Sequence, residues 1–347
     1  MPGEPPSPPA DGLRDSMTMP TEREITDAAT RIRALREGLE AVILGQSDLI
    51  RMVLTGLLAG GHVLLEGLPG LGKTELAKTL AALSGLGWKR VQFTPDLLPS
   101  DITGTQVLVD GQDGRRALVF KPGPIFAQLV LADEINRASP KTQSALLEAM
   151  QERTVTALDT THRLPAPFFV LATQNPVELD GTYPLPEAQL DRFAIRCQVG
   201  GVDDDTLARI VLAQPGASAG PLAAVADAPA ILDLMALTKR IVLPEAVGRY
   251  LARVVQATRP EHPACPPTVR TGLRWGASPR AALSLASCCR AAALIAGRPA
   301  VGFDDVKALA APVLAHRLVT TYEAGLSGRT SRDLVAEVLA TVPELQS

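Results

Sequence analysis

Short, almost purely apolar runs separated by mixed stretches dominate the N-terminal half of this chain. Val63–Leu65, Val91–Phe93, Leu129–Ala132, Phe168–Ala172 and Phe193–Val199 read as strands buried on both faces of a parallel sheet. Helical periodicity fills the intervals, as in Glu75 to Leu83 and Lys141 to Glu152. Strands alternating with helices in this way predict an α/β domain with a parallel sheet core. Two further segments have hairpin character. Gln106–Val109 and Arg116–Phe120 flank a turn region holding Asp110-Gly111 and Asp113-Gly114, and Thr154–Leu158 and His162–Leu164 flank Asp159-Thr160-Thr161. They read either as surfaces for a partner or as decorative loops.

Past Gly200-Gly201, a natural joint, the pattern turns helical: Asp203–Ala213, Ile231–Arg240, Pro244–Thr258, Pro279–Ala296, Phe303–Leu318 and Ser331–Thr341. Ser278-Pro279 supplies an N-cap before a first-turn proline, and Leu243-Pro244 opens a helix similarly. The N-terminus is rich in proline and poor in large apolar groups, as in a disordered tail, and Thr21 to Leu39 follows as a polar helix. Three parts are therefore expected: the tail (1–20), an α/β domain (21–200), to which nucleotide binding is assigned below, and an all-helical C-terminal domain (201–347).

The assignment of nucleotide binding comes from Gly67-Leu68-Pro69-Gly70-Leu71-Gly72-Lys73-Thr74. The string fits G-x-x-x-x-G-K-[ST] and sits between an apolar strand and a helix start, the order that phosphate chemistry demands. Its glycines let backbone N–H groups turn onto phosphate oxygens, and the helix N-terminus adds partial positive charge. Lys73 would reach the β- and γ-phosphates, and the Thr74 hydroxyl would ligate Mg²⁺. A chance match in a glycine-rich chain is the competing explanation, and the flanking elements argue against it.

Other candidates follow from that loop. Leu129–Ala132 runs into Asp133-Glu134, placing two carboxylates where a parallel strand would meet the phosphate crevice. Asp133 would hold Mg²⁺ and Glu134 would take a proton from the attacking water. Asn175 ends the run Phe168–Ala172 plus Thr173-Gln174, and is suited either to orient that water or simply to start a turn before Pro176. Arg192, in Leu190-Asp191-Arg192-Phe193, is placed to stabilise transition-state charge on a neighbour's nucleotide or to pair with Asp191 or Glu187. Arg280 lies in the first turn of its helix, where a cation opposes the helix dipole at a cost of about 0.3–1 kcal/mol. A bound anion would reverse that sign, making Arg280 a candidate γ-phosphate contact from the helical domain.

Composition narrows the class. The 347 residues include 34 basic and 37 acidic side chains, a net charge of −3, with only 3% aromatics. Neither an electrostatic footprint for duplex nucleic acid nor base-stacking platforms are evident. The four cysteines have no C-x-x-C spacing and read as buried thiols of a reducing compartment. No apolar run reaches the roughly 18 residues of a membrane span, and no signal-peptide pattern opens the chain. The expected location is cytoplasmic.

Together these strings resemble the MoxR family of AAA+ ATPases over about residues 42–318. The resemblance rests on Gly67–Thr74, Phe93–Gly104, Asp133–Ala138, Leu146–Glu152, Ala172–Pro176, Leu185–Phe193 and Gly276–Ala281. It implies an AAA+ P-loop NTPase fold with β-hairpin inserts and a C-terminal helical lid. It further implies ATP and Mg²⁺ as cofactors, Asp133-Glu134 as Walker B, Asn175 as sensor 1, Arg192 as a finger acting in trans and Arg280 as sensor 2. Arg137 is a further candidate for the subunit boundary. Members of this family are expected to form hexameric rings with hairpins toward the pore. They act as chaperone-like ATPases that remodel or mature protein clients, often with von Willebrand factor A partners. The chain has no D-x-S-x-S string, so such a partner would be a separate polypeptide. The tail and Glu261–Arg274 depart most from the family pattern. An ATP-controlled assembly scaffold and a nucleic-acid-remodelling motor remain the alternative readings.

Overall fold

The computed structural model describes residues 19–68, 70–110, 116–157, 160–175, 182–212 and 223–345. Most of the expected tail, Pro69 and the Asp-Gly turn of the first hairpin lie outside the described residues. Helices α1 (Glu22–Glu40) and α2 (Ser47–Leu58) precede β1 (Val63–Glu66), α3 (Lys73–Ser84), β2 (Trp88–Gln92) and the short α4 (Pro99–Thr103). A hairpin of β3 (Gly104–Asp110) and β4 (Arg116–Pro122) leads to β5 (Leu129–Asp133) and α5 (Pro140–Glu152). A second hairpin, β6 (Thr154–Ala157) and β7 (Thr160–Arg163), is followed by β8 (Phe169–Gln174), α6 (Glu187–Leu190) and β9 (Ile195–Gln198). The remainder comprises α7 (Asp204–Leu212), α8 (Ala228–Arg240), α9 (Glu245–Ala257), α10 (Pro267–Gly272), β10 (Leu273–Trp275), α11 (Pro279–Ile295), α12 (Phe303–Leu314), β11 (Val319–Thr320), α13 (Tyr322–Leu326) and α14 (Ser331–Thr341).

Five strands form one parallel sheet in the order β2-β5-β8-β1-β9. Successive side chains leave opposite faces of a strand, and the packing follows that rule. Val63, Leu65, Leu129, Leu131, Phe169 and Leu171 enter the core shared with α1, α2 and α3. Leu64, Val130, Ala132, Val170 and Ala172 enter a second core against α5. Fully burying such a side chain contributes about 1.5–3 kcal/mol. Asp133 and Thr173 continue the first series by strand register, so both emerge on the α3 side of the sheet.

Several details differ from expectation. Helix α2 is not among the expected elements; it buries every residue from Leu49 to Leu58 except Arg51, which pairs with Asp48 on its exposed side. The C-terminal segment is helical apart from a two-stranded antiparallel ribbon of β10 and β11. In the second hairpin Ala157 pairs with Thr160, so Thr160 and Thr161, expected in the turn, belong to the strand; Leu158 and Asp159 lie outside the described residues. The helix expected to reach Leu318 ends at Leu314 and continues as a 3₁₀ turn, Ala315–Arg317. Ser278 does precede α11, but its hydroxyl makes no capping bond. No helix among the described residues is long and apolar enough to cross a membrane.

His62 ties the starting edge of the sheet together. Its Nδ1 accepts the Val170 N–H at 3.0 Å, so the imidazole is the neutral tautomer that donates from Nε2 to the Met150 carbonyl at 3.1 Å. Burial, reinforced by the Arg153 charge, pushes its pKa from 6.5 down to about 3. The unfolded chain therefore binds this proton first. The stability contributed by the neutral ring is complete above pH 6.5 and drains away as pH falls toward about 3. We predict that His62→Asn flattens the dependence of unfolding free energy on pH between 6 and 4 by up to about 1.4 kcal/mol per unit, read by denaturant titration.

Candidate functional site

The loop before α3 curls because its glycines take backbone angles that side chains resist. Gly70 has φ 85° and Gly72 φ 77°, and the space around both is open, so conformation rather than crowding demands glycine there. The helix then opens on Lys73 and Thr74. Lys73 folds back so that its Nζ donates to the Gly67 carbonyl at 2.6 Å, and the residue is only 9% exposed. Burial lowers its pKa, while the carboxylates of Asp133 and Glu134 act in the opposite direction. The ammonium and both acids therefore share one electrostatic environment.

Asp133 ends β5 at 9% exposed. Its Oδ1 accepts the Thr173 hydroxyl at 2.6 Å, and its Oδ2 accepts Arg90 Nε at 3.1 Å and Nη2 at 2.7 Å. Glu134 stands in the left-handed region with φ 56°, a conformation costing on the order of 1–3 kcal/mol that clusters at functional sites. Three partners hold it there. Its N–H donates to Thr173 Oγ1 at 2.8 Å, and its Oε2 accepts Gln92 Nε2 at 2.7 Å and Arg137 Nη1 at 3.1 Å. Arg137, expected at a subunit boundary, thus also touches the carboxylate within its own chain.

Asn175 follows β8, between the carboxylate strand β5 and the loop strand β1. It is buried, and its carbonyl accepts the Asn136 side-chain amide at 3.2 Å. The structure thus brings Lys73, Thr74, Asp133, Glu134 and Asn175 to the edge where the parallel strands end. A hydroxyl and a carboxylate flanking a phosphate loop are hard oxygen donors, fitting a small divalent cation that keeps waters and phosphates as its other ligands. Thr74 and Asp133 would hold it.

Arg192 and Arg280 lie elsewhere. The Ala194 N–H donates to the His62 carbonyl at 2.9 Å, which puts the segment before β9 level with the start of β1. Arg280 Nη1 sits 3.9 Å from Asp191 Oδ2 and so belongs to that same starting edge. With strands of four to six residues rising about 3.3 Å each, the backbone carrying Arg192 and the Arg280–Asp191 pair stand about the height of the sheet from the level of the phosphate loop in the same chain. Among the described residues Arg192 makes no ion pair, and Asp191 is engaged by Arg317 and Arg280 instead.

Four residues escaped sequence reasoning. Thr173 bridges Asp133 and Glu134, and its only signal is a hydroxyl inside an otherwise apolar strand. Arg90 and Gln92 reach the same carboxylates from β2. Arg317, 7% exposed, donates to Asp191 Oδ1 at 2.7 Å, the Phe193 carbonyl at 2.8 Å and Ser284 Oγ at 3.2 Å, fastening the segment around Arg192 to α11. No local pattern identifies it. The cysteines are all buried free thiols, as expected, with burial raising Cys197 and Cys288 to about 12.

Comparison with known proteins identifies the family of the fold. The model for the ATPase family associated with various cellular activities (AAA) matches residues 62–195, and that for the AAA lid domain matches residues 268–338. The chain is 41% identical to chaperone MoxR1 of Mycobacterium tuberculosis over 310 residues, covering 89% of this chain and 81% of that protein. It is 33% identical to protein MoxR of Paracoccus denitrificans over 330 residues, 86% of this chain and 91% of the relative. The crystal structure of a candidate ATPase from Cytophaga hutchinsonii superposes with a TM-score of 0.86 at 36% identity, covering 93% of this chain and 97% of the other. The chain belongs to the MoxR family of AAA ATPases.

Proposed function

We propose that this chain is a Mg²⁺-dependent ATPase of the chaperone type, working as a ring of copies that remodels or matures protein clients. The observation that carries the reading is the division of the charged groups. Lys73, Thr74, Asp133, Glu134 and Asn175 share the ending edge of the sheet, whereas Arg192 and Arg280 share the starting edge. A complete site on this reading joins the first set from one copy to the second set from its neighbour.

In such a boundary the backbone N–H groups of Gly70–Thr74 cradle the phosphates, and Lys73 leaves the Gly67 carbonyl for the β- and γ-oxygens. Thr74 and Asp133 would hold Mg²⁺, whose charge would offset that of the triphosphate. Glu134 takes the proton of the attacking water, which Asn175 orients. Arg192 and Arg280 of the adjoining copy stabilise the charge that builds on the transferred phosphoryl group.

Exposed apolar side chains on the β3–β4 hairpin support a protein client. Leu108, Val109, Leu118 and Val119 are all exposed there, on a two-stranded unit that packs into no sheet. Apolar surface of that kind marks interaction sites. A separate von Willebrand factor A protein fits the partner role that the family resemblance implies. The test is phosphate release by the purified chain with ATP. Release that requires Mg²⁺, appears with assembly and rises with an added client is expected; release equally fast from isolated monomers would contradict the shared site.

A further inference from the structure

The two carboxylates of the proposed site are restrained from β2, a strand that the reaction scheme leaves unused. Arg90 and Gln92 are two residues apart on that strand and leave the same face, with Gln92 in register with Asp133. Arg90 places both Nε and Nη2 on the single oxygen Oδ2 of Asp133, at 3.1 and 2.7 Å. The same Nη2 donates to Gln92 Oε1 at 2.7 Å, and Gln92 Nε2 donates onward to Glu134 Oε2 at 2.7 Å. Gln92 thereby braces the guanidinium against Asp133.

Two donors on Oδ2 and the Thr173 hydroxyl on Oδ1 use most of the acceptor capacity of this carboxylate. The full positive charge of the guanidinium also stands against Asp133 Oδ2, at 2.7 Å. An exposed ion pair would carry little weight, and Arg90 is 47% exposed at its side chain. Its partner is not: the Asp133 side chain is 12% exposed, so the interaction is only partly screened.

We propose that Arg90 is a built-in competitor for the divalent cation at Asp133, raising the cation concentration at which the nucleotide site loads. This inference rests on the reading of Gly67–Thr74 with Asp133 as a nucleotide–cation site. Arg90 is a positioning residue here, acting on Asp133 rather than on the reacting atoms.

The test uses the full chain, saturating ADP and Mn²⁺ as a paramagnetic probe titrated by electron paramagnetic resonance. Arg90→Met is expected to lower the half-saturating Mn²⁺ concentration by about tenfold, and Arg90→Gln to do the same. Gln92→Ala, which unbraces the guanidinium without removing it, should shift it in the same direction by about threefold. Unchanged or weakened Mn²⁺ binding in both Arg90 variants would overturn the proposal, the weakened case showing that Arg90 supports the cation site. Fluorescent ADP without cation serves as the second measurement. Wild-type protein that fails to bind it defeats the nucleotide-site reading itself. Normal binding with an unmoved Mn²⁺ titration defeats only the role of Arg90.

Discussion

Glu134→Gln should bind ATP with near wild-type affinity and hydrolyse it roughly 10²- to 10⁴-fold more slowly. The substitution keeps the shape of the side chain and its capacity to accept Arg137, while removing the basic oxygen that takes the water proton. Binding is spared because the phosphates are held by the loop and Lys73, which Glu134 does not touch. The left-handed backbone at this position is retained through the Glu134 N–H on Thr173 Oγ1, which a side-chain change leaves in place. Single-turnover phosphate release against fluorescent-nucleotide affinity separates the two effects. A Glu134→Gln chain that turns over at the wild-type rate would remove Glu134 from the chemistry and move the search to another acid.

Loss of the Arg192 guanidinium should lower turnover by roughly 10³- to 10⁵-fold, the effect of a finger that stabilises transition-state charge. Arg192→Ala should nevertheless leave each chain's own ATP affinity close to wild type, because its backbone lies level with the start of β1, at the opposite end of the sheet from Lys73. The neighbourhood is rigid enough for the substitution to be interpretable. Arg317 fixes the backbone on either side through the carbonyls of Asp191 and Phe193, and His316 Nε2 lies 3.0 Å from the Phe193 carbonyl. Turnover and affinity measured on the assembled protein decide the matter. Parallel loss of both would place Arg192 at its own chain's nucleotide instead.

Much of this arrangement was legible in the order of residues. Strands buried on both faces of a parallel sheet must be short and apolar, so the three central ones, β1, β5 and β8, announced themselves. The edge strand β2 spans Trp88–Gln92, is mostly exposed and only ends within the expected run Val91–Phe93. The glycine loop and the strand-ending Asp133-Glu134 are local patterns whose chemistry depends on sequence order, and they stand where that order placed them. What stayed hidden depends on partners distant along the chain. Arg90 meets Asp133 and Thr173 meets Glu134 from separate strands that only the sheet brings together. Arg317 meets Asp191 from the helical segment, and no local periodicity encodes such a contact. The location of Arg280 belongs with these. Its place in the first turn of a helix suggested a phosphate contact, yet which copy's phosphate depends on how α11 packs against the segment before β9.

Mixing two inactive proteins tests the shared site most directly. One carries Arg192→Ala and keeps its carboxylates; the other carries Glu134→Gln and keeps its arginine. At a hybrid boundary an intact loop with Glu134 faces an intact Arg192, so phosphate release should reappear on mixing and peak near equal proportions. Mixed assemblies that form, bind ATP and yet release no phosphate above the parents would contradict a site built from two chains.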